Sequence, residues 1–207
     1  MSHVLLIRHG QTDANAAGVI QGQLPTSLNN LGRAQALCVA RALQARRPPV
    51  TRLLSSPLPR AVETAQLIGQ TLGLSTGIDD RWAERHFGSL QGQPSDVRRV
   101  MTHGGVSGET DDAEPKAVFD RRVAEALQEL GVPGDEVTAV VSHGGVIGSV
   151  VRQLMSGALP CVNPPPERRP VPNGSIFHLE WTPSAWVVRA YFDVGHLGTL
   201  VSVLDAG

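Results

Sequence analysis

The chain has 207 residues, 18 basic against 19 acidic, and a formal net charge of −1. Its 41% hydrophobic and 18% charged content is enough apolar material for one full-sized core. The charge balance excludes attraction to nucleic acid or an acidic membrane by bulk charge, and no run approaches the roughly 20 apolar residues that span a bilayer.

The first apolar run is only four residues, too short for a signal-peptide core, so a cytosolic protein is expected. Cys38 and Cys161 have no metal-ligand spacing, and Cys38 is expected as a small core residue. Among the 18 basic residues only Lys116 is lysine. Arginine's planar fork suits phosphate and carboxylate recognition, although genomic composition explains the skew equally well.

In chain order, Val4, Leu5, Leu6 and Ile7 form a short buried strand that stops at Arg8-His9-Gly10. Asn29 or Asn30 caps a helix ending near Arg46, with Leu31, Ala34, Leu37, Cys38 and Ala42 on its buried side. Residues 51–55 read as a second strand. Pro59 suits the first turn of a helix reaching about Leu72, and residues 75–79 read as an edge strand. Phe119, Val123, Leu127 and Leu130 recur at spacings of 4, 4 and 3, which marks an amphipathic helix. Val137–Ser142 is a β-branched run, residues 144–155 a packed helix, and runs 175–181 and 186–192 a hairpin around Thr182-Pro183-Ser184. This alternation predicts an α/β fold, a three-layer α/β/α sandwich around a mostly parallel sheet, in one domain over 1–207. Two segments stand apart from the core: a polar insertion at about 92–112, read as a small cap, and residues 160–172, whose six prolines predict a stiff extended loop.

In a parallel sheet, strand ends of one polarity lie on one edge, where open α/β sheets place their ligands. Arg8 and His9 are delivered there together, and Gly10 lets the backbone turn sharply. Arg60 opens a helix just after the second strand. His143 ends the most apolar strand, with Gly144-Gly145 starting a helix whose free N–H groups favour an anion. Glu84 stands beside an aromatic-glycine turn. An arginine fixes an oxyanion and a histidine attacks one, so phosphoryl chemistry on histidine is the first reading.

The ordered set resembles the histidine phosphatase superfamily, the group that includes cofactor-dependent phosphoglycerate mutases and many small phosphatases. The matching pieces are Arg8-His9-Gly10 with Thr12 and Asn15; Leu28-Asn29 with Gly32 and Gln35-Ala36; Ser55-Ser56-Pro57 with Arg60 and Glu63-Thr64. Further on come Glu84 with Phe87-Gly88, Gly108-Glu109-Thr110, Ser142-His143-Gly144-Gly145, Asn173-Gly174 and His196-Leu197. The resemblance implies a phosphoglycerate mutase-like fold, with His9 as the nucleophile that takes the phosphoryl group. It implies that Arg8, Arg60 and His143 bind the phosphate oxygens, with hydrogen bonds from Asn15, Gln21, Gly22 and the Gly144 N–H. It implies Glu84 as proton donor and then base, and no metal or cofactor. Gln11 and Asn29 depart from the residues common at those places, glutamate and threonine, with little effect expected.

Competing readings accompany several of these residues. Glu109, in the presumed cap, reaches the same space as Glu84. Asn15, Gln21 and Gly22 can serve only the turns of their own loop, and His86 faces either the site or solvent. His103-Gly104-Gly105 copies the string at His143 but follows no buried strand and reads as loop. Arg98, Arg99, Arg168 and Arg169 read as solvated charges, or as guides for a second acidic group. The function expected is hydrolysis of a small phosphorylated metabolite through a phosphohistidine. The first rival is mutase chemistry, suggested by Glu84-Arg85-His86-Phe87-Gly88; the remote one is a non-catalytic phosphate-binding module. Nucleic-acid and membrane partners are not expected, and a homodimer is open.

Overall fold

A computed structural model describes residues 1–97, 110–132 and 134–200. Its strands are β1 (Ser2–Arg8), β2 (Arg52–Ser55), β3 (Thr76–Ile78), β4 (Val137–Ser142), β5 (Ile176–Trp181) and β6 (Trp186–Asp193). They form one sheet in the order β3-β2-β4-β1-β5-β6. β1, β2, β3 and β4 run parallel; β5 is antiparallel to both β1 and β6, so it alone opposes the rest. The edge strand expected at 75–79 is three residues long, and the two late runs close as the expected hairpin.

The helices are a single turn α1 (Asp13–Ala16), α2 (Asn30–Ala45), α3 (Pro59–Leu72), α4 (Lys116–Leu130) and α5 (Gly144–Ser156). Alternation along β1 divides the core. Leu5 and Ile7 face α2 and α3 with Val39, Ala40, Leu43, Ala61, Ala65 and Ile68. Val4 and Leu6 face α4 and α5 with Phe119, Val123, Leu127, Val146, Val150 and Leu154. The result is the predicted three layers. Among the described residues no helix is long and apolar enough to cross a membrane.

The buried side of α2 corrects the sequence reading. Gly32, Gln35, Ala36, Val39, Ala40 and Leu43 are inside, whereas Leu37 is 40% exposed and Leu31, Ala34, Cys38 and Ala42 are half-buried flanks. The reason is backbone proximity. A Cβ on Gly32 would overlap the Gln11 carbonyl, and one on Gly10 would overlap the Gly32 carbonyl, so α2 leans directly on the turn after β1. Gln35 is tolerated inside because its Oε1 accepts from Gln11 N–H (2.9 Å) and its Nε2 donates to Leu200 O (2.9 Å). Large apolar side chains drew the sequence reading one position away from this face of small residues.

Of the expected cap, residues 98–109 lie outside the described residues, and with them Glu109, His103 and Arg98–Arg99. The start of that segment is seated by an antiparallel bridge between Val19 and Pro94. The proline-rich loop runs beside β6, where Trp186 N–H donates to Pro160 O and the Asn163 amide brackets Val188. Its end lies over the site, since Arg8 donates to Val171 O.

Candidate active site

Arg8, at the end of β1, and His9 just beyond it emerge beside Ser142 and His143 at the end of β4, because register pairs Arg8 with Ser142 and His9 N–H donates to Ser142 O (3.0 Å). The two imidazoles lie with centroids 5.2 Å apart at 60°. His9 is 2% exposed and its tautomer is fixed from both sides. Nδ1 lies 2.7 Å from Gly10 O, which can only accept, so Nδ1 carries the hydrogen. Nε2 lies 3.1 Å from Arg60 Nε, which can only donate, so Nε2 presents its lone pair. Burial first, then Arg60 and Arg8, hold the ring's pKa well below 6.5 and keep it neutral. Asn173 Nδ2 donates to His9 O (3.0 Å) and anchors the backbone from behind.

Arg60 enters at the first turn of α3, where Pro59 sets the helical φ. It is buried, and carbonyls hold it: NH2 donates to Gly22 O (2.7 Å), NH1 to Leu24 O (3.1 Å) and to Thr26 Oγ1 (3.3 Å). Burial lowers its pKa to about 10, with Glu84 opposing and Arg8 assisting the shift, so it stays charged. Arg8 crosses the N-terminus of α5, where a Cβ on Gly144 would sit 3.5 Å from Arg8 Nε.

His143 is fully buried, with Nε2 2.7 Å from Ser56 Oγ. That oxygen already accepts from Leu58 N–H (3.2 Å), so its own hydrogen is free for Nε2. Nδ1 then carries the ring hydrogen, buried and with no partner among the described residues. Burial, then Arg60, His9 and Arg8, push this ring also well below 6.5. Ser56 was part of the matched motif, but its service to His143 was not read from the sequence, because the two are 87 residues apart.

Glu84 is 8% exposed on the loop after β3. Its Oε1 accepts from Arg85 N–H (2.8 Å) and its Oε2 from Gly145 N–H (2.9 Å), so the carboxylate docks on the α5 N-terminus. Gly145 lets the carboxylate come this close, because a Cβ there would displace Glu84 Oε1. The backbone behind Glu84 is clamped by Arg122, whose NH1 donates to Arg81 O (2.7 Å) and Ala83 O (2.8 Å) while Glu114 holds Nε at 2.7 Å. No sequence pattern announced Arg122, an ordinary residue on an amphipathic helix.

Asn15 and Gln21 spend their carbonyl oxygens locally: Asn15 Oδ1 accepts from Thr12 and Asn173, and Gln21 Oε1 from Thr12 Oγ1 (2.9 Å) and Thr26 Oγ1 (2.6 Å). Their NH2 groups are the donors left to the cleft both residues line. Gly22 turns with φ +51° and gives its carbonyl to Arg60. His86 is half-buried and engaged locally, with Nδ1 accepting from Gly88 N–H (3.1 Å). The cleft has a volume of about 560 Å³ and is walled by Arg8, Asn15, Gln21, Arg60, Glu84 and Gly144, among others. The structure thus brings together every sequence-predicted site residue that it describes. Among the described residues no cluster of three or more histidine, cysteine or acidic side chains could hold a metal ion. A neutral imidazole with its lone pair aimed at an arginine, a second imidazole, a helix N-terminus and a docked carboxylate form a device for moving an oxyanion group.

Known proteins agree with that chemistry. The model of the histidine phosphatase superfamily (branch 1) matches residues 4–194. The chain is 32% identical over 212 residues to the probable phosphoglycerate mutase GpmB of Yersinia enterocolitica, covering 95% of each. It is 32% identical over 218 residues to the glucosyl-3-phosphoglycerate phosphatase of Mycolicibacterium vanbaalenii, covering 98% of this chain and 92% of that one. A solved mycobacterial glucosyl-3-phosphoglycerate phosphatase in complex with VO3 superposes with a TM-score of 0.77 at 27% identity, over 92% of this chain and 98% of its own. The phosphoglycerate mutase of Bacillus anthracis shares the fold, with a TM-score of 0.81 at 21% identity. With its motifs, its sheet and its relatives in accord, this chain belongs to the histidine phosphatase superfamily.

Proposed function

We propose that the protein is a metal-independent phosphomonoester hydrolase that works through a phosphohistidine at His9. The observation that carries this reading is the double constraint on one imidazole, with Nδ1–H on Gly10 O and the Nε2 lone pair held toward the cationic Arg60. A neutral, oriented ring is what nucleophilic attack on phosphorus needs. In the first step Nε2 bonds to phosphorus, the ester P–O bond breaks, and Glu84 gives its proton to the leaving alcohol. In the second, Glu84 takes a proton from water, the new hydroxide oxygen bonds to phosphorus, the N–P bond breaks, and inorganic phosphate leaves. Arg8, Arg60, the His143 Nδ1–H and the Gly144 N–H meet the charge on the phosphoryl oxygens throughout, with Asn15, Gln21 and Gly22 completing the cradle.

The substrate class is a small phosphorylated metabolite, as for the phosphatase among its relatives. A second reading, phosphoryl transfer between hydroxyls, is favoured by the block Glu84-Arg85-His86-Phe87-Gly88 and by the relative named a probable phosphoglycerate mutase. Water decides between the two fates, because a solvated phosphohistidine is hydrolysed. The test supplies 3-phosphoglycerate with a bisphosphoglycerate primer and follows isomer formation against phosphate release, beside an aryl phosphate and a His9→Ala variant. Phosphate release with an acid-labile adduct on His9 is expected. Predominant isomerisation moves the assignment to a mutase, and absence of turnover across a phosphomonoester panel removes catalysis altogether.

A further inference from the structure

Beyond the phosphate cradle the cleft continues along α5. Gly144, Gly148 and Arg152 follow at four-residue steps, each about 6 Å along the axis, and all three line the cavity. Glycine in the middle of a helix is less favourable than alanine, yet Gly148 leaves this wall without a side chain. Arg152 folds back over this position, since a Cβ at 148 would touch its NH1 at 3.7 Å.

Arg152 is anchored but not saturated. Its NH2 donates to Asp120 Oδ1 (2.8 Å), while its Nε is buried with no partner among the described residues. Asp120 also binds Lys116 and Ser149, so it fixes two cations and cancels only one. Arg168, exposed on the proline-rich loop, lines the same cleft. Among the described residues, Lys116, Arg152 and Arg168 against Asp120 leave two positive charges unspent in this cleft.

We propose that Arg152, tethered by Asp120, is a specificity-determining residue that binds a second anionic group of the substrate, held about 6 to 12 Å from the phosphoryl group. The inference rests on the phosphatase reading of the cleft and narrows its substrates to phosphomonoesters with a distal oxyanion. A guanidinium with free N–H groups takes a carboxylate or a phosphate by the same paired hydrogen bonds. Lys116, held by Asp120, and the exposed Arg168 add longer-range charge, so their share fades with salt.

The experiment compares phosphate release by the wild-type protein from three esters: 6-phosphooxyhexanoate, its neutral amide, and pentane-1,5-diol bisphosphate. Acid and bisphosphate are expected to exceed the amide in kcat/KM by about 10- to 100-fold, the worth of charge-assisted hydrogen bonds. The larger of the two ratios identifies carboxylate or phosphate as the preferred group. In Arg152→Gln and Gly148→Leu the acid-to-amide ratio should fall toward one, and Arg152→Lys should restore part of it. Equal turnover of acid and amide by the wild type, or a ratio that survives Arg152→Gln, overturns the proposal. Failure to turn over any of the three esters, or an aryl phosphate, instead sinks the phosphatase reading and this inference with it.

Discussion

Two pairs of histidines in this chain have ring centroids 5.2 Å apart, tilted by 60° for His9 and His143 and by 48° for His3 and His178. Burial lowers the pKa of all four rings, with neighbouring arginines assisting. Proximity and a depressed pKa therefore do not separate the two pairs. Surroundings do. His9 and His143 follow the C-terminal ends of neighbouring parallel strands, beside a helix N-terminus and a glycine turn that let an anion approach. His3 and His178 sit on β1 and the antiparallel β5, where His178 Nε2 already receives Arg46 NH2 (3.1 Å) and Glu180 is paired with Arg189 (2.6 Å). One pair stands at the cradle of the cleft, and the other is engaged with Arg46 and with Glu180 of its own sheet.

The sharpest way to break that contrast is to remove the proposed nucleophile. His9→Ala should abolish the covalent route and lower kcat/KM for an aryl phosphate by at least about 10⁴-fold, read beside acid-quench trapping of the adduct. A substitution at His178 should change the same rate less than about two-fold; a comparable loss there would erase the distinction drawn from geometry. Next in size, Glu84→Gln keeps the carboxylate's shape while removing its proton transfer. It should cost about 10² to 10⁴, with leaving groups of low pKa, which need no acid, suffering least in the first step.

Arg122 tests how far support extends behind the site. Arg122→Ala frees three carbonyls of the 81–84 loop and leaves Glu114 half-buried without its partner. A loss of about 3 kcal/mol in stability is expected, measured by urea unfolding, with a smaller fall in kcat as Glu84 loses its placement. That residue also marks the limit of what the sequence alone discloses. Arg8, His9, Arg60 and His143 were legible because a strand end or a helix start is a local pattern, and local patterns fix which edge of the sheet a residue reaches. Arg122 supports Glu84, Ser56 supports His143 and Asn173 supports His9 across 38, 87 and 164 positions of chain; Ser56 and Asn173 stand in matched motifs, but no local pattern says which residue they serve, and none marks Arg122 at all. The same holds for α2, where helix and cap were readable but the buried face was set by a glycine contact with a distant turn. The second charge at Arg152 likewise depends on how α4 meets α5.

The depressed titrations predict two different pH responses, one for each pair. For the site pair, a proposed nucleophile held well below 6.5 stays neutral as the solution is acidified, so the acid limb of kcat/KM should lie well below pH 6.5. A His9 ring that titrates near 6.5 in the intact protein, followed by NMR, would contradict the burial argument. For the other pair the response is in stability. His178 falls from 6.5 to about 4, burial first and Arg46 next. Between those values the unfolded chain binds a proton that the folded chain refuses, so stability is full above about pH 6.5 and is lost as pH falls through 4. His9 and His143 add loss of the same sign, since their rings move in the same direction. His178→Gln removes one of these protons while leaving the cradle intact. Its melting temperature should therefore decline less steeply than the wild type's between pH 6.5 and 4.5, with turnover per folded molecule unaltered at pH 7. Identical slopes would mean that His178 carries no proton linkage, leaving the acid sensitivity of the fold to His3, to the two imidazoles of the cradle and to carboxylates such as Asp79 and Asp120 whose pKa is also lowered.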